Sequence, residues 1–405
     1  MVLLKIAFRN IFRQRRRTLF TALSMFGGFI LAAFFIGWAD GTYNGIIDMF
    51  TRNRLGHIQI HEKDYLDRPS LYKTINDMSV INRTLEEVSG VESWTPRLYT
   101  AGLASLDDKT AGVQILGIDP VRENKTTSFN KKIIEGRAFS SASAAEVILG
   151  KGLAEILKAG VEDEIVVISQ AADGSIANDI YRLIGITESG DEMTDRTAFY
   201  LPLEEAQKFL VLEGRVHEVA VTINNLNDVE RIHRIIEEKL DNPRLSVEPW
   251  QEFARSFYMA MKADKEGMWI MLVVIIIIVA VGVLNTVLMS VLERQREYGV
   301  LRAVGTKPSQ VIRIVLLEIT FLALFCIVAG AIAGLLINTY FASHGLSLSN
   351  PITYGGIEIR AMRSEINTRS FFIPALIVLL SAGFVSLFPA LKAARTDPAR
   401  SMRFH

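Results

Sequence analysis

The sequence predicts an α-helical membrane protein with four transmembrane helices and a large α+β extracytoplasmic domain inserted between the first and second helices. Four runs of 22 to 25 residues contain no Asp, Glu, Lys or Arg, and about 20 helical residues span the hydrocarbon core of a bilayer. The 228 residues between the first and second runs have ordinary globular composition. The runs are Thr18–Ala39, Met268–Leu292, Ile319–Ala342 and Ser370–Leu391.

These runs divide the chain into nine segments. The inserted domain is the largest and carries a predicted stalk helix at each end. In chain order the segments are an amphipathic elbow helix (1–17), the first span (18–39), the inserted domain (40–267), the second span (268–292), a connecting segment (293–313), the third span (314–342), a loop (343–369), the fourth span (370–391) and a tail (392–405).

The distribution of basic residues predicts the orientation of the chain. Residues 1–17 carry six Lys and Arg and no acid, residues 293–313 carry five against two acids, and the tail carries four against one. All three segments lie on one side of the membrane if each run spans it once, and short cytoplasmic segments are enriched in Lys and Arg. We therefore expect both termini in the cytoplasm and the inserted domain outside.

Charge and cysteine content argue against nucleic-acid binding and against disulfides in the inserted domain. It carries 26 basic and 38 acidic residues, a net charge of −12, whereas binding of nucleic acid requires clustered positive charge. The single cysteine, Cys326, lies in the third span, so the domain is stabilised by its own hydrophobic core without disulfides. We expect no nucleic acid among the partners.

The N-terminal region is interpreted as an interfacial helix followed by an uncleaved span. Apolar and basic residues recur at helical spacing in residues 3–14, as in helices that lie in the membrane interface; a solvated basic tail is the alternative. A cleaved signal peptide is the alternative for the first run. That run, however, is longer than the usual apolar stretch of about 7–15 residues, and no small-x-small cleavage site closes it.

The inserted domain begins and ends with predicted amphipathic stalks, residues 40–54 and 250–267. Strands interspersed with short helices between the stalks predict an α+β or α/β domain. The predicted strands are Gly56–His61, Gln114–Ile118, Glu146–Leu149, Glu164–Ser169, Tyr181–Thr187, Ala198–Leu201 and Glu218–Ile223, and the predicted helices are Lys151–Lys158, Leu203–Leu212 and Leu226–Leu240.

Two features of the third span concern its packing. Gly330 and Gly334 form a small-xxx-small motif, which lets helix backbones approach closely in lipid. Glu318 lies one residue before the uncharged run. A carboxylate deep in hydrocarbon is by default functional, but near the interface, where Arg or Lys reaches it, we interpret Glu318 as a structural anchor.

The connecting segment has the pattern of a short helix followed by a turn. Apolar residues recur at Tyr298, Leu301 and Val304, Gly305 permits a turn, and Pro308 suits the first turn of the next helix. A short charged helix across the ends of two spans is suited to dock on a soluble partner. A solvated hairpin between helices is the alternative.

Three stretches of the chain resemble motifs of the FtsX/MacB-type (type VII) ABC transporter permeases. Residues 296–305 (REYGVLRAVG), followed by Glu318, resemble the coupling segment of that family. Residues 7–13 (AFRNIFR) are similar to its elbow helix, and residues 389–398 (PALKAARTDP) to the exit of its last helix. The order of one span, a large outer domain and three further spans is also that of the family.

Within this family, the inserted domain resembles most that of the lipoprotein-releasing (LolC/LolE-like) permeases, through residues 55–61, 134–137 and 146–154. MacB-like permeases for efflux and toxin export share much of the same MacB-like periplasmic domain. The Lol-type subunit that recruits the carrier chaperone has a protruding hook, for which residues 170–179 are too short here. This departure favours a chaperone-independent member or the subunit without a hook.

The resemblance implies a permease subunit of the bacterial inner membrane that is not itself an enzyme. The sequence has no G-x-x-x-x-G-K-[ST] loop to cradle phosphates, so ATP and Mg²⁺ are expected in a separate ABC ATPase dimer, and no cofactor in this chain. A second permease, identical or homologous, is expected as a further partner. The resemblance places the ATPase contact at Glu293, Arg294, Arg296, Glu297, Gly299, Leu301, Arg302 and Gly305.

The favoured function is extraction of lipoproteins from the inner membrane for delivery to the outer membrane. Their acyl chains need a lipid-open cavity, because removing them from lipid costs about 0.8 kcal/mol per CH₂. Packing between the stalks is the alternative role for the residues expected to line it. These residues are Met49, Phe50, Phe253, Phe257, Tyr258, Met259 and Met261.

Two other functions are alternatives. One is a MacB-like mechanotransmission exporter of peptides, toxins or small molecules that works with a periplasmic adaptor. The other is an FtsX-like signalling permease that activates an extracytoplasmic partner without transport. Lipid and either a periplasmic chaperone or an adaptor complete the expected partners.

Other chemistry is not favoured by the sequence. His57 and His61 lie four residues apart with Glu62 beside them, a set that suits Zn²⁺, but exposed imidazoles are the preferred interpretation. The acidic residues in 188–195 lack EF-hand spacing and are interpreted as a solvated turn. We expect no metal site.

Overall fold

The computed structural model describes Ala7, Arg9 and residues 15–140, 145–354 and 357–395. The predicted elbow helix over residues 3–14 lies outside the described residues, apart from Ala7 and Arg9. The end of the last family-like motif, residues 396–398, and the rest of the tail lie outside them too.

The described chain contains helices and strands in the following order. The helices are α1 (Arg15–Phe50), α2 (Met78–Glu87), α3 (Pro120–Thr127), α4 (Lys151–Leu157), α5 (Glu192–Asp195), α6 (Leu203–Leu210), α7 (Val229–Leu240), α8 (Trp250–Phe253), α9 (Arg255–Glu293), α10 (Gln295–Ala303), α11 (Pro308–His344) and α12 (Arg369–Ala394). The strands are β1 (Ile58–Glu62), β2 (Val91–Leu106), β3 (Lys109–Ile118), β4 (Ile133–Gly136), β5 (Glu146–Gly150), β6 (Glu164–Gln170), β7 (Ile176–Thr187), β8 (Ala198–Pro202), β9 (Glu218–Ile223), β10 (Leu245–Pro249), β11 (Leu346–Tyr354) and β12 (Ile357–Met362).

The chain forms two compact units. The membrane unit comprises Met1–Tyr43, Lys262–Leu348 and Ala361–His405, and the outer unit comprises Asn44–Met261 and Ser349–Arg360. Helices α1, α9, α11 and α12 are each long and apolar enough to cross a membrane. The predicted arrangement of four helical spans with a mixed domain between the first and second is confirmed.

Helices α1 and α9 are longer than the apolar runs they contain. Helix α1 has 36 residues and α9 has 39, so each continues into the predicted stalk. The second predicted stalk, residues 250–267, is however interrupted at Ala254, which separates α8 from α9. The predicted loop after the third span contains β11 and β12, which pair as a separate two-stranded sheet.

Small residues allow close helix contacts within the membrane unit. A Cβ atom at Gly330 of α11 would lie 2.8 Å from the Phe29 ring of α1, and one at Gly28 would overlap the side chain of Val279. Gly334 lies opposite Ala33 at a more ordinary distance, 3.4 Å. Since lipid gives helices no hydrophobic reason to associate, such backbone approach supplies the packing energy.

One mixed sheet runs through the outer unit. Its strand order is β10-β1-β9-β2-β3-β8-β5-β7-β4, with β6 paired to both β2 and β7. Most neighbours are antiparallel, but β3 pairs with β8 and β5 with β7 in parallel. Two large apolar cores lie along it: one surrounds β1, β9 and β10 with α2 and α7, and the other lies around β5–β8 with α4 and α6. A smaller cluster contains Ile118, Phe129, Ile148 and Ile184.

A buried polar network in the outer unit links β2, α3 and β9. Arg97 of β2 is buried and donates to Glu123 at 2.7 Å and to Glu218 at 2.9 Å. His217 is fully buried; its Nδ1 accepts the backbone N–H of Tyr99 at 2.9 Å, so Nε2 carries the proton toward the Leu71 carbonyl at 3.1 Å. The geometry therefore fixes His217 as a neutral imidazole.

Two groups of this network make the outer unit sensitive to acid. Burial lowers the pKa of His217 below its ordinary value of 6.5. Burial acts to raise the pKa of Glu218, but His61, whose Nε2 lies 3.5 Å away, and Arg97 outweigh it, and the pKa is lowered. Both groups bind protons more readily in the unfolded chain, so both stabilise the fold above their unfolded pKa values and lose that contribution as the pH falls.

We expect the outer unit to lose stability as the pH falls below about 6.5. The unfolded chain binds a proton at His217 that the folded chain does not, and this lowers the free energy of unfolding by up to about 1 kcal/mol between pH 6.5 and 5.5. Thermal unfolding of the full chain in detergent, followed by circular dichroism, measures the slope. His217→Asn, which keeps one donor and one acceptor, is expected to flatten it, whereas the control His344→Asn, at an exposed imidazole, is not. An unchanged slope in His217→Asn contradicts the assignment.

Candidate functional sites

Helix α10 forms the core of the predicted coupling segment. It follows α9 after a single non-helical residue, Arg294, and is followed by a turn into α11. Arg302 Nη1 donates to the carbonyl of Thr306 at 3.1 Å across this turn. Gly305 has φ +100°, a conformation that side chains rarely adopt, so the turn depends on glycine there.

A buried arginine anchors one side of α10. Arg294 is 8% exposed and donates to Glu318 of α11 at 2.9 Å and to Glu297 at 3.0 Å. Its guanidinium also lies 5.3 Å from the ring centre of Tyr298, which is buried in the membrane unit's core. This places Glu318 in the anchoring contact expected from the sequence.

The opposite side of α10 is exposed. Arg296 is exposed and forms no ion pair in the part of the chain that the structure describes. Val300 is 46% exposed and Val304, just after the helix, is 82% exposed. An apolar pair at spacing i, i+4 on an exposed helix face forms a contact surface of the kind that partners cover.

The structure therefore divides the predicted coupling residues into three groups by exposure. Glu293, Arg296 and Gly305 are exposed, Glu297, Leu301 and Arg302 are partly buried, and Arg294 and Gly299 are buried. Sequence reasoning missed Val300 and the exposure of Val304. Their spacing of four residues predicts that they lie on the same face of a helix. Whether that face is exposed depends on which face packs against the spans through Arg294.

The first stalk ends in a tight, defined joint within the outer unit. Helix α1 passes into a π-helical turn, Thr51–Leu55, closed by the Gly56 N–H donating to Thr51 O at 2.7 Å. Gly56 has φ +78°, and a Cβ there would lie 3.0 Å from the backbone of Val221. Both facts require glycine at the point where the helix becomes strand β1.

Charged side chains fix this joint to the sheet. His57 Nδ1 accepts the N–H of Ile223 at 3.1 Å, which leaves its Nε2 proton for Asp48 at 3.3 Å. Arg52 pairs with Asp48 at 3.2 Å and with Glu92, and donates to the Ile223 carbonyl at 3.1 Å. The i, i+4 spacing of Asp48 and Arg52 was readable in the sequence, whereas their sheet partners were not.

Aromatic residues join the two stalks inside the outer unit. Phe50 and Phe257 stack with ring centres 3.8 Å apart and 12° between planes. Trp250 meets Phe257 and Tyr258 edge-on at 6.1 and 5.6 Å. Phe253 packs on the same core.

The stalk residues expected to line a cavity are thus only partly brought together. Phe50, Phe253, Phe257 and Tyr258 form the aromatic cluster just described. Met49 is half-buried, Met261 is 3% exposed and Met259 is 55% exposed. A cavity lined by all seven stays a prediction, and Met259 is the member with the most free surface.

The predicted exposed histidines are buried. His57 and His61 are 0% and 1% exposed, because β1 lies between β9 and β10 inside the sheet. His57 is held in the joint and His61 faces Glu218. The expectation of surface imidazoles was therefore wrong.

The predicted acidic turn is also more ordered than expected. Asp191 caps α5 by accepting the N–H of Met193, and buried Asp195 accepts the N–H of Ser189 at 2.9 Å. Among the described residues, no group of three or more His, Cys, Asp or Glu is placed to hold a metal ion.

Two family models match the chain. A MacB-like periplasmic core domain matches residues 18–239, more than half of the chain, and an FtsX-like permease C-terminal domain matches residues 269–398. The lipoprotein-releasing system transmembrane protein LolC of Neisseria meningitidis is 25% identical over 369 residues, which cover 87% of this chain and 87% of that protein.

Two further proteins are similar over large parts of the chain. The macrolide export ATP-binding/permease protein MacB 2 of Aeromonas hydrophila is 22% identical over 98% of this chain and 60% of that protein. The crystal structure of the periplasmic region of MacB from Actinobacillus actinomycetemcomitans aligns at 15% identity and a TM-score of 0.37, over 50% of this chain and 94% of that one.

Loss of the Arg294 anchor is expected to destabilise the membrane unit. Arg294→Met leaves Glu318 and Glu297 without their shared cation, at a cost of about 2 kcal/mol. The matched control is Arg296→Met two residues away, which removes an exposed side chain and is expected to change stability by less than about 0.5 kcal/mol. Thermal unfolding of the full chain in detergent compares them, and equal effects contradict the anchor.

Proposed function

The chain belongs to the family of ABC transporter permeases that combine a MacB-like periplasmic core domain with an FtsX-like C-terminal domain, and we propose that it extracts lipoproteins from the inner membrane. In this proposal both termini and α10 lie in the cytoplasm, and the outer unit lies in the periplasm. The chain binds no nucleotide itself. A separate ATPase dimer binds ATP and Mg²⁺ and drives a pair of permeases.

The exposed face of α10 is the single observation that carries the energy-coupling part of this proposal. Val300 and Val304 offer an apolar contact, and Arg296 beside them offers a charge to an acidic partner. The buried face holds α10 to α9 and α11 through Arg294, Tyr298 and Glu318. Because α10 is held to both helices, force applied to its exposed face is transmitted to α9 and α11.

The same geometry supports transmission toward the periplasmic side. Helix α9 runs unbroken from Glu293 to Arg255, so a displacement at its coupling end is carried along its length. In the outer unit, Phe257 of α9 stacks on Phe50 of α1. Movement of one stalk is thereby passed to the other and to the sheet joined to it.

Lipoproteins are the favoured substrate because of the stalks and the relatives. The aromatic cluster and the exposed Met259 offer apolar contact to acyl chains above the membrane, where water would otherwise oppose their release. The relative in Neisseria meningitidis carries the name of a lipoprotein-releasing system. The β6–β7 hairpin has a short turn, with the Ala171 N–H donating to Ser175 O at 3.0 Å, so a chaperone-capturing hook is not part of the proposal.

Export of small molecules or peptides through an adaptor is the second candidate. The match to a macrolide export protein covers 98% of this chain, which is the observation in its favour. The two functions differ in what leaves the complex when ATP is hydrolysed.

Purification with the ATPase partner in gentle detergent tests the proposal. Bound acylated proteins are identified by mass spectrometry before and after addition of ATP and Mg²⁺. Lipoproteins that co-purify and are released by ATP support extraction. Their absence, together with an adaptor that co-purifies and stimulates ATP turnover, overturns it in favour of export.

A photo-crosslinking amino acid at Met259 is expected to capture lipoprotein in the same complex. Met259 is 55% exposed on the second stalk, so a bound acyl chain or its protein lies within reach. The control places the same amino acid at Val121, which is 69% exposed on α3 of the outer unit. Equal capture at both positions contradicts a stalk site.

Negative charges introduced on the exposed face of α10 are expected to uncouple ATP hydrolysis from lipoprotein release. The double variant Val300→Glu, Val304→Glu buries two unpaired carboxylates if the ATPase covers this face, and ATP-driven release should fall about tenfold or more. Val121→Glu, the same change at an exposed valine of the outer unit, is the control. The measurement is the rate of release in proteoliposomes. A wild-type rate in the double variant contradicts the proposal that α10 is the coupling site.

A further inference from the structure

A cleft with an open volume of about 380 Å³ lies in the membrane unit between α1, α9 and α12. One wall is apolar and includes Ile36, Leu272 and Ile373. The rim at the other end is charged and consists of Asp40, Lys265 and Arg369. The cleft is therefore amphipathic along its length. It shares no lining residue with the coupling segment or with the aromatic cluster of the stalks.

The charged rim lies at the ends of three apolar runs, where the lipid headgroups are expected. Asp40 directly follows the first apolar run, Arg369 directly precedes the fourth, and Lys265 precedes the second by three residues. Trp269, also in the cleft, is 49% exposed, and tryptophan is enriched at this depth in membranes. The apolar wall thus faces the acyl chains, in the leaflet on the side of the inserted domain.

The rim carries more positive than negative charge. Asp40 is only 8% exposed and accepts a hydrogen bond from Asn367 Nδ2 at 2.9 Å. Arg369 lies 3.9 Å from Asp40, and its side chain is 53% exposed. Lys265 is exposed and forms no ion pair with any residue that the structure describes. Two cations therefore line the cleft opening with a single carboxylate, Asp40, and Arg369 is the cation near it.

An anionic phosphate suits this arrangement better than a neutral ligand. A guanidinium presents parallel N–H donors that match phosphate oxygens, and a lysine adds a compact point charge. The inserted domain has a net charge of −12, so a paired cationic rim is not a general property of the chain on this side. The adjoining apolar wall favours a ligand that also carries a hydrocarbon chain.

We propose that this cleft binds an anionic glycerophospholipid. Its phosphate lies between Lys265 and Arg369, and one acyl chain follows the wall formed by Ile36, Leu272 and Ile373. The bound lipid bridges α1, α9 and α12 at the end of the membrane unit opposite the coupling segment. This site is independent of the substrate proposed above, because it needs neither ATP nor lipoprotein.

Native mass spectrometry of the full chain released from nanodiscs tests the site. The nanodiscs contain phosphatidylglycerol and phosphatidylcholine in equal amounts, and we expect one retained phosphatidylglycerol per chain. Lys265→Ala and Arg369→Ala are each expected to lower its affinity about fivefold, and the double variant about 25-fold. Lys262→Ala, an exposed lysine one turn away on α9 that does not line the cleft, is the control and should retain the lipid.

A second variant separates a lipid site from a site for free phosphate. Ile373→Trp fills the apolar wall and keeps both cations, so it should weaken binding of diacyl lipid without affecting any binding of glycerol 3-phosphate. Displacement of the lipid by millimolar glycerol 3-phosphate, with Ile373→Trp behaving as wild type, would assign a free-phosphate site instead. Equal retention of phosphatidylglycerol by wild type and the double variant overturns the proposal.

Discussion

Close contact between α1 and α11 at Phe29 and Gly330 is the interaction on which the membrane unit depends. The Phe29 ring occupies the space that any side chain at position 330 would need. This approach also brings Asn338 of α11 within 3.2 Å of the Ala33 carbonyl, where a buried amide finds its acceptor. Without the glycine, the helices would separate and leave the Asn338 Nδ2 donor without this acceptor in an apolar environment, which is costly.

Polar contacts then fix both ends of the unit, where the hydrocarbon gives way to water. At one end Arg294 bridges α10 to Glu318. At the other, the Glu365 N–H donates to the Gly37 carbonyl at 2.8 Å and Asn367 donates to Asp40. Arg294 and Asp40 are both largely buried, but each has polar partners, so they specify helix positions at a smaller cost than unpaired charges in the middle of the membrane.

Much of this architecture was predictable because membranes impose simple rules on sequence. The uncharged runs predicted the four spans, and period-two or helical patterns predicted seven strands and three helices of the outer unit, although β3 and β7 each begin five residues before their predicted starts. Strand β2 was missed because Pro96, Gly102 and two serines interrupt its apolar pattern. It forms a strand because it pairs with β3, β6 and β9. Side-chain partners such as His57 with Ile223, 166 residues apart, depend on tertiary structure that no local pattern contains.

Helix α10 shows why residue type alone does not identify a contact surface. Arg294 and Arg296 are alike in sequence, yet the first is buried against Glu318 and the second is exposed. A helix that receives force must have one face fixed to the spans, or the force only rotates it, and another face free for the partner. In α10 the fixed face is polar and aromatic, and the free face carries Val300. If α10 has the coupling role proposed above, the residues that transmit force are distinct from those that receive it.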